Sequence, residues 1–273
     1  MERLEQIEAL NQILLAEMPE YRAQGERFPR EEGAQRRLLR SLMNLRPPMP
    51  LDPDFLAAQD ALLSAETAEK GVVDGDALVP TQADSRLVLW QGDITRLRVD
   101  AIVNAANSAL LGCFHPCHGC IDNAIHSAAG LQLRDECFRL MEAQGHPEPN
   151  GRAKLTGGYN LPARHVLHTV GPIVRGRVTQ RDREELASCY RACLDLAAAR
   201  GLESVAFCCI STGEFHFPNQ EAAEIAVRTV TEFLQHPSSI RKVIFNVFKD
   251  LDAAIYRALL GADQTAEAGA GSC

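Results

Sequence analysis

Three cysteines and two histidines fall within the eight residues Cys113-Phe114-His115-Pro116-Cys117-His118-Gly119-Cys120. Thiolate and imidazole are the ligands zinc prefers, and so dense a cluster is hard to account for as packing. Asp122 follows two residues after the last cysteine, where a helical pattern opens at Ile121. A metal and a carboxylate at one helix N-terminus suit chemistry better than scaffolding. A carboxylate there also complements the helix dipole, worth about 0.3–1 kcal/mol. Spacing does not decide which of the five side chains bind. Three ligands leave a fourth position open, as catalytic zinc requires, and a fourth ligand closes it.

The elements that must position these groups follow from hydrophobic periodicity. From Arg86 onward, β-rich runs at Leu87–Trp90, Val99–Val103, Val166–Val170, Val205–Ile210 and Val243–Phe248 alternate with helical patterns. The latter lie at Ile121–Ala129, Leu131–Ala143, Arg183–Ala199, Ala222–Leu234 and Leu251–Leu260. Alternation of this kind predicts a layered α/β domain around a largely buried sheet. Ligands of such sheets sit in the crevice beyond the carboxyl ends of strands. Two segments fit that place: Asn104–Cys120 follows one strand, and Ser211–Pro218 follows another. In the second, Gly213 permits close backbone approach, and successive N–H groups can cradle a diphosphate.

Residues 1–80 read as helices. Leu4, Ile7, Leu10, Ile13 and Leu14 form one face; Leu38, Leu39, Leu42 and Met43 form another, stopped by Pro47-Pro48-Met49-Pro50; Phe55, Leu56, Leu62 and Leu63 suggest a third. This extension carries no catalytic motif and is expected to cap the main domain by burying its apolar faces there, with a partner-docking surface as the alternative. The main domain is expected over residues 81–262, and a small, polar, flexible tail over 263–273.

The 273 residues are 46% hydrophobic, enough for a sizeable core, and no apolar run is long enough to cross a bilayer. The start, Met1-Glu2-Arg3-Leu4-Glu5, lacks the order of a signal peptide. Nine cysteines, with Cys137, Cys189 and Cys193 in helical patterns and Cys208 and Cys209 in a strand, suit buried thiols and a metal better than disulfides. A cytoplasmic protein without a membrane partner is expected. The net charge of −8 argues against general nucleic-acid binding.

Five segments together resemble the macrodomain family, in the family's order from about Arg86 to Leu260. They are Gln91-Gly92-Asp93-Ile94-Thr95, Val103-Asn104-Ala105-Ala106-Asn107-Ser108, Thr156-Gly157-Gly158-Tyr159, His168-Thr169-Val170-Gly171-Pro172 and Ile210-Ser211-Thr212-Gly213-Glu214-Phe215. Most catalytic macrodomains carry a glycine-rich stretch and Val-Asp-Gly after Asn-Ala-Ala-Asn. Here Cys113–Cys120 and Ile121-Asp122-Asn123 stand in its place. That departure, with the helical extension, resembles the zinc-dependent, sirtuin-linked macrodomains of microbes.

The resemblance implies a mixed central sheet flanked by helices, binding of ADP-ribose, and hydrolysis of mono-ADP-ribosyl modifications on proteins. It implies Zn2+ held by Cys113, His118 and Cys120, with Cys117 and His115 left as further candidates. It places Asp93 at adenine, with Phe248 packed on the base, and counts Ile94 among the ADP-ribose-binding residues. Ser211, Thr212, Gly213 and Glu214 would take the diphosphate, and Phe215 the distal ribose. Asn107, whose amide both donates and accepts, would fix the ribose, and Asp122 would act beside it. Asn104 would brace the loop, while His126 reads as a core histidine. A mono-ADP-ribosylated protein, a lipoyl-carrier-like protein and a sirtuin-type ADP-ribosyltransferase are the implied partners. A non-catalytic ADP-ribose reader with a structural zinc, and an O-acyl-ADP-ribose deacylase, are rival readings of the same site.

Overall fold

Two large hydrophobic clusters, and a small third one around Ala106, Leu110 and Val170, organise residues 2–262, the part of the chain that the computed structural model describes. The smaller of the two large ones belongs to the extension. Its helices α1 (Arg3–Glu17), α2 (Arg22–Gly25), α3 (Glu32–Leu45) and α4 (Pro53–Lys70) bury Leu10, Leu14, Leu39, Leu42 and Leu62 in one cluster. Local chemistry starts α4: Asp52 accepts from the N–H groups of Asp54 and Phe55, and Pro53 takes the first helical position.

The extension was expected to bury its apolar faces on the main domain. Instead its helices satisfy one another, and Leu131 enters their cluster from the main domain. The remaining joints are polar. Gln59 Oε1 accepts from the Leu131 N–H at 3.0 Å, Asn44 Nδ2 donates to Ser127 Oγ at 3.0 Å, and Asn160 Nδ2 donates to Asp60 at 2.7 Å.

The strands, in chain order, are β1 (Val73–Asp74), β2 (Leu87–Gln91), β3 (Leu97–Arg98), β4 (Ala101–Ala105), β5 (Ala153–Gly157), β6 (His165–Thr169), β7 (Ser204–Phe207) and β8 (Lys242–Val247). β1 pairs with β3 in a small ribbon, and the others form a sheet in the order β2-β8-β7-β4-β6-β5. Every pairing in that sheet is parallel except β5 with β6. The parallel strands are near-continuous apolar runs, as strands covered on both faces must be. β5 was not expected as a strand. It is a half-buried edge strand with Lys154 and Thr156 in it, so it lacks the apolar run that marks the others.

Helices α5 (Ile121–Ala129) and α6 (Leu131–Gln144) contact β4 and β5 respectively, and α3 of the extension lies against α5. Helix α7 (Gln180–Ala199) covers β5 and β6, α8 (Asn219–Leu234) packs on α7, and α9 (Asp250–Leu260) covers β2 and β8. The start of α7 precedes the expected Arg183 because Thr179 and Asp182 form a capping box. Among the described residues, no helix is long and apolar enough to cross a membrane. The tail expected at 263–273 lies outside them.

β4 and β7 are adjacent and parallel. The chain therefore leaves the sheet at the same end after Ala105 and after Phe207, and the two loops that follow face each other.

Candidate active site

Asp122 sits in the first turn of α5 and is buried. Asn104, on β4, donates from Nδ2 to Asp122 Oδ1 at 2.8 Å and lies 3.2 Å from His168 Nδ1. Asn107 donates to Asp122 Oδ2 at 3.3 Å and to the Gly112 carbonyl at 3.1 Å, while its own oxygen accepts from the Ala109 N–H. Two amides thus hold the carboxylate from two sides. Asn104 braces Asp122, not the loop as the resemblance implied. His126 is buried as expected of a core histidine, but its Nε2 lies 3.5 Å from Asp122 Oδ1. Gly112, at φ +82°, passes so close that a Cβ would stand 2.9 Å from the His126 ring.

Burial pushes the Asp122 carboxyl up to about 6, against the pull of the Asn104 hydrogen bond and of the Arg134 charge. Burial also holds His126 well below the usual imidazole range and His168 down at about 3.

The loop before α5 brings three of the five candidate ligands together. Donor atoms of Cys113, His118 and Cys120 all lie within 4.8 Å of one another, with Cys113 Sγ 3.7 Å from His118 Nδ1. Cys117 points elsewhere: its Sγ is 3.4 Å from Ser41 Oγ and 3.6 Å from the Arg37 carbonyl, both in α3. The His115 ring lies 5.8 Å from that of His118, centroid to centroid, and joins no such group. Two sulfurs and an imidazole nitrogen are the donor set a borderline-soft divalent cation selects. Burial pushes the Cys120 thiol up to about 12, and the neighbouring Cys113 sulfur adds to this. A cation bound there supplies the positive charge that thiolates need. His118 Nε2 is 3.7 Å from Glu214 Oε1, so a carboxylate lies on the far side of the ring.

Ser211–Phe215 forms the opposite wall. Ser211 (φ +65°) and His216 (φ +58°) adopt left-handed backbone. The turn is closed by the His216 N–H to the Gly213 carbonyl and the Phe217 N–H to the Ser211 carbonyl. Among the described residues, the N–H groups of Thr212, Gly213, Glu214 and Phe215 donate to no other group, and Ser211 Oγ is buried without a partner. Successive free donors in such a turn form an anion cradle. A Cβ on Gly171 would overlap Ser211 Oγ at 2.0 Å, which explains the glycine opposite this turn.

Both walls line one cavity of about 660 Å³; Asp93, Ile94, Asn107, Cys113, His118, Cys120, Asp122 and Ser211–Phe215 border it, whereas Cys117 and Asn104 do not. Asp93 lines it while capping a short turn: its Oδ1 accepts from the Thr95 N–H and hydroxyl at 3.0 and 2.7 Å. Phe248 stands at the rim, 75% exposed, not in the core. Sequence reasoning missed Arg134. Its buried guanidinium donates to the carbonyls of Leu111, Met43 and Arg46, and its Cζ lies 4.4 Å from the centre of the Phe114 ring. No local pattern marks it, since two of its carbonyl partners come from the end of α3 and the third from the loop after β4.

The Macro domain family matches this chain over residues 103–226. A protein-ADP-ribose hydrolase of Treponema medium is 50% identical over 253 residues, covering 92% of this chain and 96% of that protein. A protein of the same name from Staphylococcus aureus is 50% identical over 227 residues, covering 83% and 85%. Among solved structures, a Trypanosoma brucei macrodomain in complex with ADP-ribose superposes with a TM-score of 0.63 at 32% identity, covering 81% of this chain and 95% of that one. An Oceanobacillus iheyensis macrodomain with ADP gives 0.58 at 39% identity, covering 64% and 90%.

Proposed function

The chain belongs to the Macro domain family and is half identical to protein-ADP-ribose hydrolases along most of its length, and from that premise we propose that it is a zinc-dependent hydrolase removing mono-ADP-ribose from modified protein side chains. The observation that carries this reading is the pairing of two walls around one cavity. Unpaired N–H groups at Thr212–Phe215 face a braced carboxylate, Asp122, beside the sulfur and imidazole donors of Cys113, His118 and Cys120.

Each residue then has a task. The Ser211–Phe215 turn takes the diphosphate through main-chain donors, so an acidic protein binds an anion without a basic patch. Asp93 keeps one carboxylate oxygen free of its cap for the adenine amino group. Asn107 and Asn104 fix Asp122, which orients a water and takes its proton as the water oxygen bonds to the anomeric carbon of the distal ribose. The bond from that carbon to the protein side chain breaks, and the leaving atom takes the proton that Asp122 accepted from the water. Zinc, held by Cys113, His118 and Cys120, supplies Lewis acidity beside the ribose when bound. The substrate is a cytoplasmic protein modified by a sirtuin-type ADP-ribosyltransferase, with a lipoyl-carrier-like protein as the favoured bearer.

The test is single-turnover release of ADP-ribose from a mono-ADP-ribosylated protein, with and without chelator, beside elemental analysis and ADP-ribose calorimetry on the same preparation. Release that chelation abolishes, with about one zinc per chain, supports the proposal. Tight ADP-ribose binding with no release from any linkage would make the protein a reader, and protein without metal would remove zinc from the reading.

A further inference from the structure

We infer that helix α3 of the extension is part of the metal centre, with Arg40 and Asn44 as positioning residues that hold the ligand loop in its ligating shape. The loop Cys113–Cys120 contains neither helix nor strand, and Cys117 sits in left-handed backbone at φ +52°. Such a segment cannot fix three ligand side chains by itself, because each ordered residue costs about 1–2 kcal/mol in backbone entropy. Apart from one turn of its own, the His118 N–H to the His115 carbonyl at 3.2 Å, its main-chain groups are met from outside. Asn44 Oδ1 accepts from the Cys117 N–H at 2.9 Å, and Arg40 donates to the His118 carbonyl at 3.3 Å. Arg40 also donates twice to Asn123 Oδ1, at 2.7 and 3.2 Å, and Asn123 Nδ2 donates to the His115 carbonyl at 2.9 Å.

Three carbonyl or amide groups, at residues 115, 117 and 118, are thus fixed by α3, either directly or through Asn123. Asn44 and Asn123 are 1% and 0% exposed, so these bonds are made out of water, where leaving a partner unmet is costly. Arg40 and Asn44 lie one helical turn apart on the same face of α3, the face turned to the loop. The frame bears on the metal through the loop backbone, since His118 is itself a ligand and Cys117 precedes it. An extension that looks like a cap is thereby tied to the chemistry.

This inference rests on the zinc reading above, so its test separates the two. Zinc-loaded full-length protein, its Arg40→Met and Asn44→Ala variants, and an Arg36→Ala control are mixed with a chromophoric chelator. Arg36 pairs with Glu66 inside the extension and does not touch the loop. Retention of zinc should weaken roughly 10- to 100-fold in Arg40→Met and Asn44→Ala, the usual scale for a group that orients a ligand. It should follow the parent in Arg36→Ala. Parental retention in both loop-facing variants, or equal weakening in Arg36→Ala, would overturn the inference. Amide exchange of the metal-free parent gives a reading that needs no variant and no zinc. The Cys117 amide, bonded to Asn44, should be protected relative to that of Gly119, which has no partner among the described residues. Equal exchange of the two would overturn the frame even if the zinc reading stands. Failure of the parent to hold zinc would sink the zinc reading and leave the exchange result to decide the frame.

Discussion

Asp122 receives hydrogen bonds from Asn104 and Asn107, which leaves its carboxylate little freedom to rotate. The proton transfer proposed for it takes place in the transition state, not in the bound ground state. Asp122→Ala should therefore lower single-turnover hydrolysis by roughly 10²-fold or more, the usual scale for a general base, while ADP-ribose affinity changes much less. Unchanged turnover with zinc retained would remove Asp122 from the mechanism. At the metal, Cys113→Ala, His118→Ala and Cys120→Ala should each lower zinc content by elemental analysis. Cys117→Ala should not, because that thiol lies against Ser41 and Arg37. Zinc lost from Cys117→Ala alone would refute the assignment of ligands. Residue types and spacing made Asp122 and the cysteines visible in sequence. They did not reveal which thiol turns away, because that depends on the backbone at Cys117 and on a helix far earlier in the chain. The bracing of Asp122 by Asn104 was equally invisible. It comes from the end of β4 meeting the start of α5, a contact across the fold.

At the scale of elements, periodicity gave the helices to within a turn, since each presents one apolar stripe to the sheet. It failed at β5, whose half-buried pattern carries polar residues, at the two-residue strands β1 and β3, of which β1 falls in the stretch read as helical, and at the end of β7. There Cys208 to Ile210 stay apolar after the strand stops at Phe207. Burial alone did not distinguish a strand from the start of a buried loop. Periodicity also left the docking of the extension unread. Removal of residues 1–80 should strip the buried Arg134 guanidinium of the Met43 and Arg46 carbonyls, and Ser127 of Asn44. A lower thermal midpoint is expected, together with lower zinc content. A truncated protein that melts and loads zinc like the parent would make the extension an independent module. Within the extension, Leu39→Ala removes a wholly buried side chain and should cost about 2–5 kcal/mol of stability, measured by denaturant unfolding.

For the whole molecule, two buried imidazoles make stability depend on pH just below neutrality. His126 and His168 both titrate lower in the fold than the ordinary value near 6.5, so the folded state binds fewer protons than the unfolded state. Stability contributed by their neutral forms is present above about pH 6.5 and is lost as pH falls from there toward the folded values. The raised Asp122 carboxyl opposes this below about 6, one group against two. Denaturant midpoints of metal-free protein should fall between about pH 7.5 and about pH 5; an unchanged midpoint would mean that the imidazoles ionise without cost in the fold. The order of elements along the chain has a consequence of another kind, in time. A chain made from its amino end contains α3 before the ligand loop, and the ligand loop before Ser211–Phe215. The thiols of residues 113–120 thus follow α3, while Asn123 and the opposite wall come after them. The loop of candidate ligands has part of its scaffold ahead of it in the chain, and the turn with the unpaired N–H groups arrives last.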